Sequence, residues 1–271
     1  MRRFTGADDL REAAFVRTDL RGARFVAADL SGVVMRGVEI PGAEIDSPWL
    51  FDGAALHVNG VDVVPFVEAE LNRRFPGRAE RRAMDPAGLR SAWAAIERTW
   101  EATLERVAAM PVGAVDVAVD GEWSFAQTLR HLVFATDMWL GRAILRAEQP
   151  FHPIGPLDNP FDSTPDSASD SAFVSDAKRE GQWTVSAAAP SYDEVLQVRA
   201  RRIAMVRDFL AAATPELLAS SRPNPHDAAR QETVLSCLHT ILDEEWEHHR
   251  YAVRDLEAIS AAAREQLAHE N

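Results

Sequence analysis

The sequence predicts a mainly α protein: a four-helix bundle preceded by a short coil of five-residue repeats. Three observations carry this. Large apolar residues recur at every fifth position from Leu10 to Leu50, a period that neither a helix nor a strand has. From Met84 onward the apolar spacing changes to three and four, the helical pattern. Three of the helical stretches open on start signals: Asp85-Pro86, Ser124-Phe-Ala-Gln127 and Ser191-Tyr-Asp-Glu194.

The repeat series is Leu10, Phe15, Leu20, Phe25, Leu30, Met35, Ile40, Ile45 and Leu50. Short side chains precede most of these by two: Ala13, Thr18, Ala23, Ala28, Val33, Val38 and Ala43. Such a chain turns a corner every five residues and stacks on itself, large residues inward and small ones filling the gaps. The run AAFVRTDLRGARFVAADLSG resembles the pentapeptide-repeat family, over Ala7 to about Asp46, and fades after Gly37 at Val38, Glu39 and Pro41. The resemblance implies a four-sided right-handed β-helix of about twenty residues per coil, hence about two coils here. Some members of that family mimic DNA, but this stack is too short to copy much duplex. A small wing packed on the helical part, or used in dimerisation, is the expectation.

Residues 1–48 form this module, 49–83 a hairpin and linker, and 84–271 the helical domain. In ALHVNGVDVVPFV, Asn59-Gly60 between two β-rich runs signals a type I′ hairpin. It is expected to cap the open end of the coil, where a bare edge would invite pairing.

In the helical domain, Leu89, Trp93, Ile96, Trp100, Leu104 and Val107 give a helix from Pro86 to about Met110. A second runs from the Ser124 cap through Leu129, Leu132, Met138 and Leu145. Pro150 to Pro190, rich in Pro, Ser and Asp, reads as a long loop. A third helix runs from Ser191 to about Ala213, one more turn starts at Thr214-Pro215, and a fourth long helix runs from about Gln231 toward the C-terminus. Four amphipathic helices of this length pack as a bundle, the alternative being an irregular α-array of the same elements.

The chain has 271 residues, 46% hydrophobic and 26% charged, an ordinary globular balance. Its net charge of -13 repels phosphate, so neither nucleic acid nor an anionic surface is an expected partner. The basic runs Arg73-Arg74 and Arg78 to Arg82 read as solvated helix ends or loop. The lone cysteine, Cys237, allows no internal disulfide, which suits a reducing cytoplasm. No signal peptide or bilayer-spanning run is expected.

Two places could carry chemistry. His131, in TLRHLVFATDMW, lies within the second helix and by itself reads as a core histidine. On the fourth helix, DEEWEHHRYAVRDL interrupts an apolar stripe of Val234, Leu238, Ile241, Ala252, Leu256 and Ile259. Charge in such a stripe is costly unless compensated, and a metal compensates it directly. Glu and His four apart stand on one helix face and reach one ion. Glu244 with His248 satisfies this, as does Glu245 with His249. Glu245 continues the stripe, four after Ile241 and seven before Ala252, whereas Glu244 falls toward its edge. The competing reading is a solvated patch salt-bridged to Arg250 or Arg254. Asp137 and Arg142 are candidates to support the site or bind substrate. Cys237, Trp93, Trp100 and Trp139 read as core. No Ser-His-Asp arrangement, P-loop or Gly-rich dinucleotide turn is present.

GEWSFAQTLRHLVFATDMWLGR and EEWEHHRYAVRDL resemble the DinB superfamily, which includes thiol-dependent S-transferases and the mycothiol-dependent maleylpyruvate isomerase. The likeness runs from about Pro86 to Glu257. It implies a three-ligand site with open positions on a divalent ion such as zinc or nickel, and places His131, Glu245 and His249 on the ligand positions. Arg250 follows the last ligand as in many members, while Tyr251 stands where a glycine often comes next. The implied activity is that of a metal-dependent thiol S-transferase, in which a low-molecular-weight thiol such as mycothiol attacks an electrophilic small molecule. The rival is a metal-stabilised interaction or regulatory protein whose repeat module docks a partner. A homodimer is compatible with either.

Overall fold

The computed structural model describes residues 4–5, 7–51, 53, 55–155, 190–227 and 229–269. The Pro- and Ser-rich stretch read as a long loop falls mostly at residues 156–189, outside the described residues.

The helices begin where the sequence signals them. Helix α2, Pro86–Ala108, starts at Asp85, whose carboxylate accepts from the backbone N–H groups of Ala87 and Gly88 at 2.9 and 3.0 Å. Helix α3, Phe125–Thr136, and helix α4, Tyr192–Ala212, each start in a complete capping box, Ser124 with Gln127 and Ser191 with Glu194. The short α5, Pro215–Ala219, is capped by Thr214. Helix α6, Val234–His269, supplies 36 residues, about 54 Å of rod at 1.5 Å per residue. Ahead of α2 lies a shorter helix, α1, Val64–Arg74, within the stretch 49–83 expected to be only hairpin and linker.

Helices α2, α3, α4 and α6 pack together around one core, with Trp93, Ile96, Leu129, Leu132, Ile241 and Trp246 almost wholly buried. Helix α3 does not stop at Thr136 but continues as a π-helical stretch over Asp137–Ile144, with Leu145 N–H donating to Leu140 O at 2.9 Å. The wider turn accompanies a buried carboxylate: Asp137 accepts from Arg202 of α4 and from His152 N–H.

Strands β1, His57–Val58, and β2, Val61–Asp62, form the expected hairpin, pairing His57 with Asp62 and Val58 with Val61. Asn59 and Gly60 both take left-handed φ, 50° and 82°, as a type I′ turn demands. A second hairpin, β3 (Ser221–Pro223) with β4 (Gln231–Thr233), leads into α6.

One expectation changes. The Arg78 to Arg82 run is a 3-10 turn, but Arg78 and Arg81 are buried rather than solvated, at 1% and 3% exposure. Arg78 donates to Asn72 and Glu247 and lies over the Phe51 ring; Arg81 donates to Glu68 and Asp243. The acidic partners Asp243 and Glu247 stand four apart on α6, so the linker is packed on that helix by ion pairs.

The repeat segment follows its own spacing. Its turns recur every ten residues, with Ala13, Ala23, Val33 and Ala43 N–H groups donating to the carbonyls of Leu10, Leu20, Leu30 and Ile40. Among the described residues no strand forms there, and Leu10, Phe15, Phe25, Met35 and Ile45 are all exposed. The described backbone thus keeps the spacing of the repeat without establishing a β-helix. Repeats of this kind bury their inward residues against neighbouring coils, and about two coils leave none covered on both sides.

Candidate metal centre

Position 131 lies two helical turns beyond the Ser124 cap, on the side of α3 that faces α6. From α6 come Glu244 and, one turn on, His248. His131 Nε2 lies 3.0 Å from Glu244 Oε2, and His248 Nδ1 lies 3.3 Å from the same oxygen. The two imidazoles stack, with centroids 4.3 Å apart. One donor atom from each of the three residues falls within 4.8 Å of the others, close enough to share one ion. All three side chains keep partial exposure, between 13% and 19%, so the cluster is reachable from outside.

The donor set fits a divalent metal. Burial works to raise the Glu244 carboxyl, but the hydrogen bond with His131 and the neighbouring imidazoles win, holding it down to about 2 and hence anionic. Burial, with His131 opposite, lowers His248 to about 4, so its ring is neutral at pH 7. Both are thus in the protonation state that ligation needs. His248 Nδ1 also lies 2.9 Å from the backbone carbonyl of Glu244. That contact fixes the proton on Nδ1 and leaves Nε2 with a free lone pair.

Glu245 and His249, the register that continues the stripe, lie apart from this cluster. Glu245, 1% exposed, pairs with Arg199 of α4 in the bundle core. His249 Nε2 is 2.8 Å from Thr103 Oγ1 of α2, and its ring meets Trp100 edge-on at 5.0 Å. Continuing an apolar stripe means facing the core, and there the Glu meets an arginine rather than His131. Burial raises Glu245 against the pull of Arg199, and lowers His249 to about 4.

The remaining candidates sort by burial. Asp137 turns to Arg202, away from the cluster, and Arg142 sits half-buried in the π-helical stretch. Trp93 and Trp100 are core; Trp139 is half-buried beside His226, ring centroids 5.5 Å apart. Cys237 is fully buried and pushed up to about 12 by burial. Two residues escaped the sequence reading. Trp123 lies 4.7 Å from His131 and 6.1 Å from His248, ring to ring. Its signal was its place just before the Ser124 cap. Arg199 interrupts the α4 stripe of Val195, Val198 and Val206, the same anomaly that marked α6.

Comparison with known proteins adds the following. A family model described as the DinB superfamily matches residues 95–252, more than half of the chain, and a model for pentapeptide repeats matches residues 3–39 in eight copies. No curated protein and no solved structure matches.

Proposed function

The chain belongs to the DinB superfamily, and on that footing we propose that it is a metal-dependent enzyme of the thiol S-transferase kind, with His131, Glu244 and His248 as the ligands. The observation that carries this is the convergence of one carboxylate and two imidazoles from α3 and α6 at a partly exposed point of an otherwise apolar seam.

A divalent ion bound there supplies Lewis acidity, lowering the pKa of a thiol or water at its open position. The chain's own residues do the rest. Glu244 offsets one of the two positive charges. The Glu244 carbonyl orients the His248 ring through Nδ1. Three protein ligands leave room for a fourth from outside, the pattern of catalytic rather than structural sites. The nucleophile comes from a small molecule, because the chain's lone thiol is fully buried and stays protonated at neutral pH. No described helix is long and apolar enough to cross a membrane.

The test is metal content by elemental analysis, followed by thiol consumption with electrophiles. Wild type is expected to hold about one ion per chain, and His131→Ala and His248→Ala to lose it. The loaded protein is then expected to consume a small thiol in the presence of an alkylating electrophile. Protein that takes up no ion after incubation with zinc, nickel and manganese would sink the reading.

One observation favours a second reading, a metal-stabilised interaction protein. The repeat segment leaves its large apolar residues exposed, including Phe15, Phe25 and Met35. An ion that stays bound while no thiol–electrophile pair is turned over would move this reading ahead.

A further inference from the structure

Trp123 is the aromatic wall of the metal centre. It sits at the end of a short loop, in which Asp120 and Gly121 take left-handed φ of 52° and 81° and Glu122 N–H donates to Val119 O. Contacts from other parts of the chain help to hold this loop in place. The support comes from the repeat segment. Arg24 donates to the Asp120 carbonyl at 3.3 Å and has its charge 3.9 Å from the Asp120 carboxylate. Asp46 takes both arms of Arg250, at 2.6 and 3.1 Å, and also accepts from Arg254 and Tyr251 at 3.3 Å. Arg254 in turn grips Glu122, the residue before Trp123. These α6 residues follow His248 within two turns, and the Tyr251 ring meets His248 at 6.1 Å.

Two separate points of the repeat segment thus bear on the loop, Arg24 directly at Asp120 and Asp46 by way of Arg254, which holds Glu122. We infer that the repeat segment is a strap that holds Trp123 against His131 and His248 and thereby sets access to the metal centre. Release of Asp46 and Arg24 frees the loop, and the Trp123 wall moves off the two imidazoles. Whatever occupies the repeat segment would then control the site at a distance, through ion pairs alone. The access half of this inference rests on the metal reading above; the strap half does not.

The test uses the full chain and two readouts. The first is hydrogen exchange by mass spectrometry on metal-free protein, comparing wild type with the Arg24→Ala/Asp46→Ala variant. Exchange across 119–124 is expected to quicken roughly fivefold or more, the factor that corresponds to about 1 kcal/mol of lost ion pairing, while α2 amides keep their protection. Arg24 paired with Asp46→Glu, which keeps the charge, is expected to restore wild-type exchange. Unchanged exchange in the loop overturns the strap whatever the ion content. Quickened exchange throughout the chain, α2 included, also overturns it, because the contacts would then serve stability in general. The second readout is the rate at which zinc-loaded protein yields its ion to a chelator. The double variant is expected to release zinc several-fold faster at unchanged stoichiometry. Equal release rates alongside a loosened loop overturn control of access. Failure of wild type to bind any ion refutes the metal reading and with it the access half, and leaves the exchange result to decide the strap.

Discussion

Glu244 and Glu245 are neighbours in the chain and about 100° apart around α6, and that angle sends them to different chemistry. Glu244 reaches the α3 seam and two histidines; Glu245 enters the core and meets Arg199. A buried pair of this kind contributes little net stability, yet losing one partner is costly because it strands the other charge. Arg199 Nε and Nη1 and Glu245 Oε1 already lack hydrogen-bond partners among the described residues. Glu245→Leu is therefore expected to lower the unfolding free energy in urea by about 3 kcal/mol or more, and Arg199→Met/Glu245→Leu to recover most of it. Equal losses in the single and double variants would mean that packing, and not the stranded charge, is the cause. Cys237 gives a second expectation. Its folded pKa, raised to about 12, lies above the ordinary thiol value, so the native protein carries the neutral thiol through pH 7 to 10. Alkylation by iodoacetamide is expected to stay negligible and nearly flat over that range in the native state. In urea it should rise with pH toward a free cysteine's pKa near 8.5. Fast native modification would show that the thiol is reachable and reopen it as a nucleophile.

At the scale of elements, caps and turns put the site together. Ser124 and Gln127 fix where α3 begins, and so which face His131 takes two turns later. Ser124→Ala is expected to cost about 1 kcal/mol in chemical denaturation while leaving the ion stoichiometry intact, since the cap contributes no ligand. Gly77 shows the same logic at the linker: its φ of 96° and the 2.7 Å between a built Cβ and the Ala95 Cβ leave no space for a side chain. Gly77→Ala is expected to cost on the order of 1–3 kcal/mol, read from the same denaturation curves. How much of this was legible follows from what each signal encodes. Asp85, Ser124 and Ser191 announce helix starts through local hydrogen bonds, so α2, α3 and α4 were readable to within a residue or two. The Asn59-Gly60 hairpin was readable for the same reason. Periodicity, by contrast, reports burial and not the identity of the neighbour. It placed Glu245 inward, correctly, but could not see that Arg199 would be waiting there. The buried Arg78 and Arg81 were missed likewise, because their partners Asp243 and Glu247 lie far along the chain. The π-helical stretch begins at Asp137, whose partner Arg202 lies on α4, a contact that no local pattern encodes.

At the scale of the molecule, an ion at the α3–α6 seam would couple site to stability. His131 and the Glu244–His248 pair come from helices that meet only in the folded chain, so an ion held by all three binds the native state and has no equal in the unfolded one. Ligand present at about a thousand times its dissociation constant then adds about 4 kcal/mol, and for a chain of this size roughly 10 °C in Tm. The expected result is a rise of that order when zinc or nickel is added to metal-free wild type, reversed by a chelator. The variants make the rise diagnostic. His131→Ala and His248→Ala are expected to melt near the metal-free wild type and to show no shift, because the seam loses a ligand but no core contact. Glu245→Leu is expected to melt lower from the outset, for the reason given at the residue scale, and yet to shift upward with metal by as much as wild type does. The two effects are separable because they arise on different faces of one helix. A Glu245→Leu protein that no longer responded to metal, beside a Glu244→Ala protein that did, would return the ligand role to the inward register.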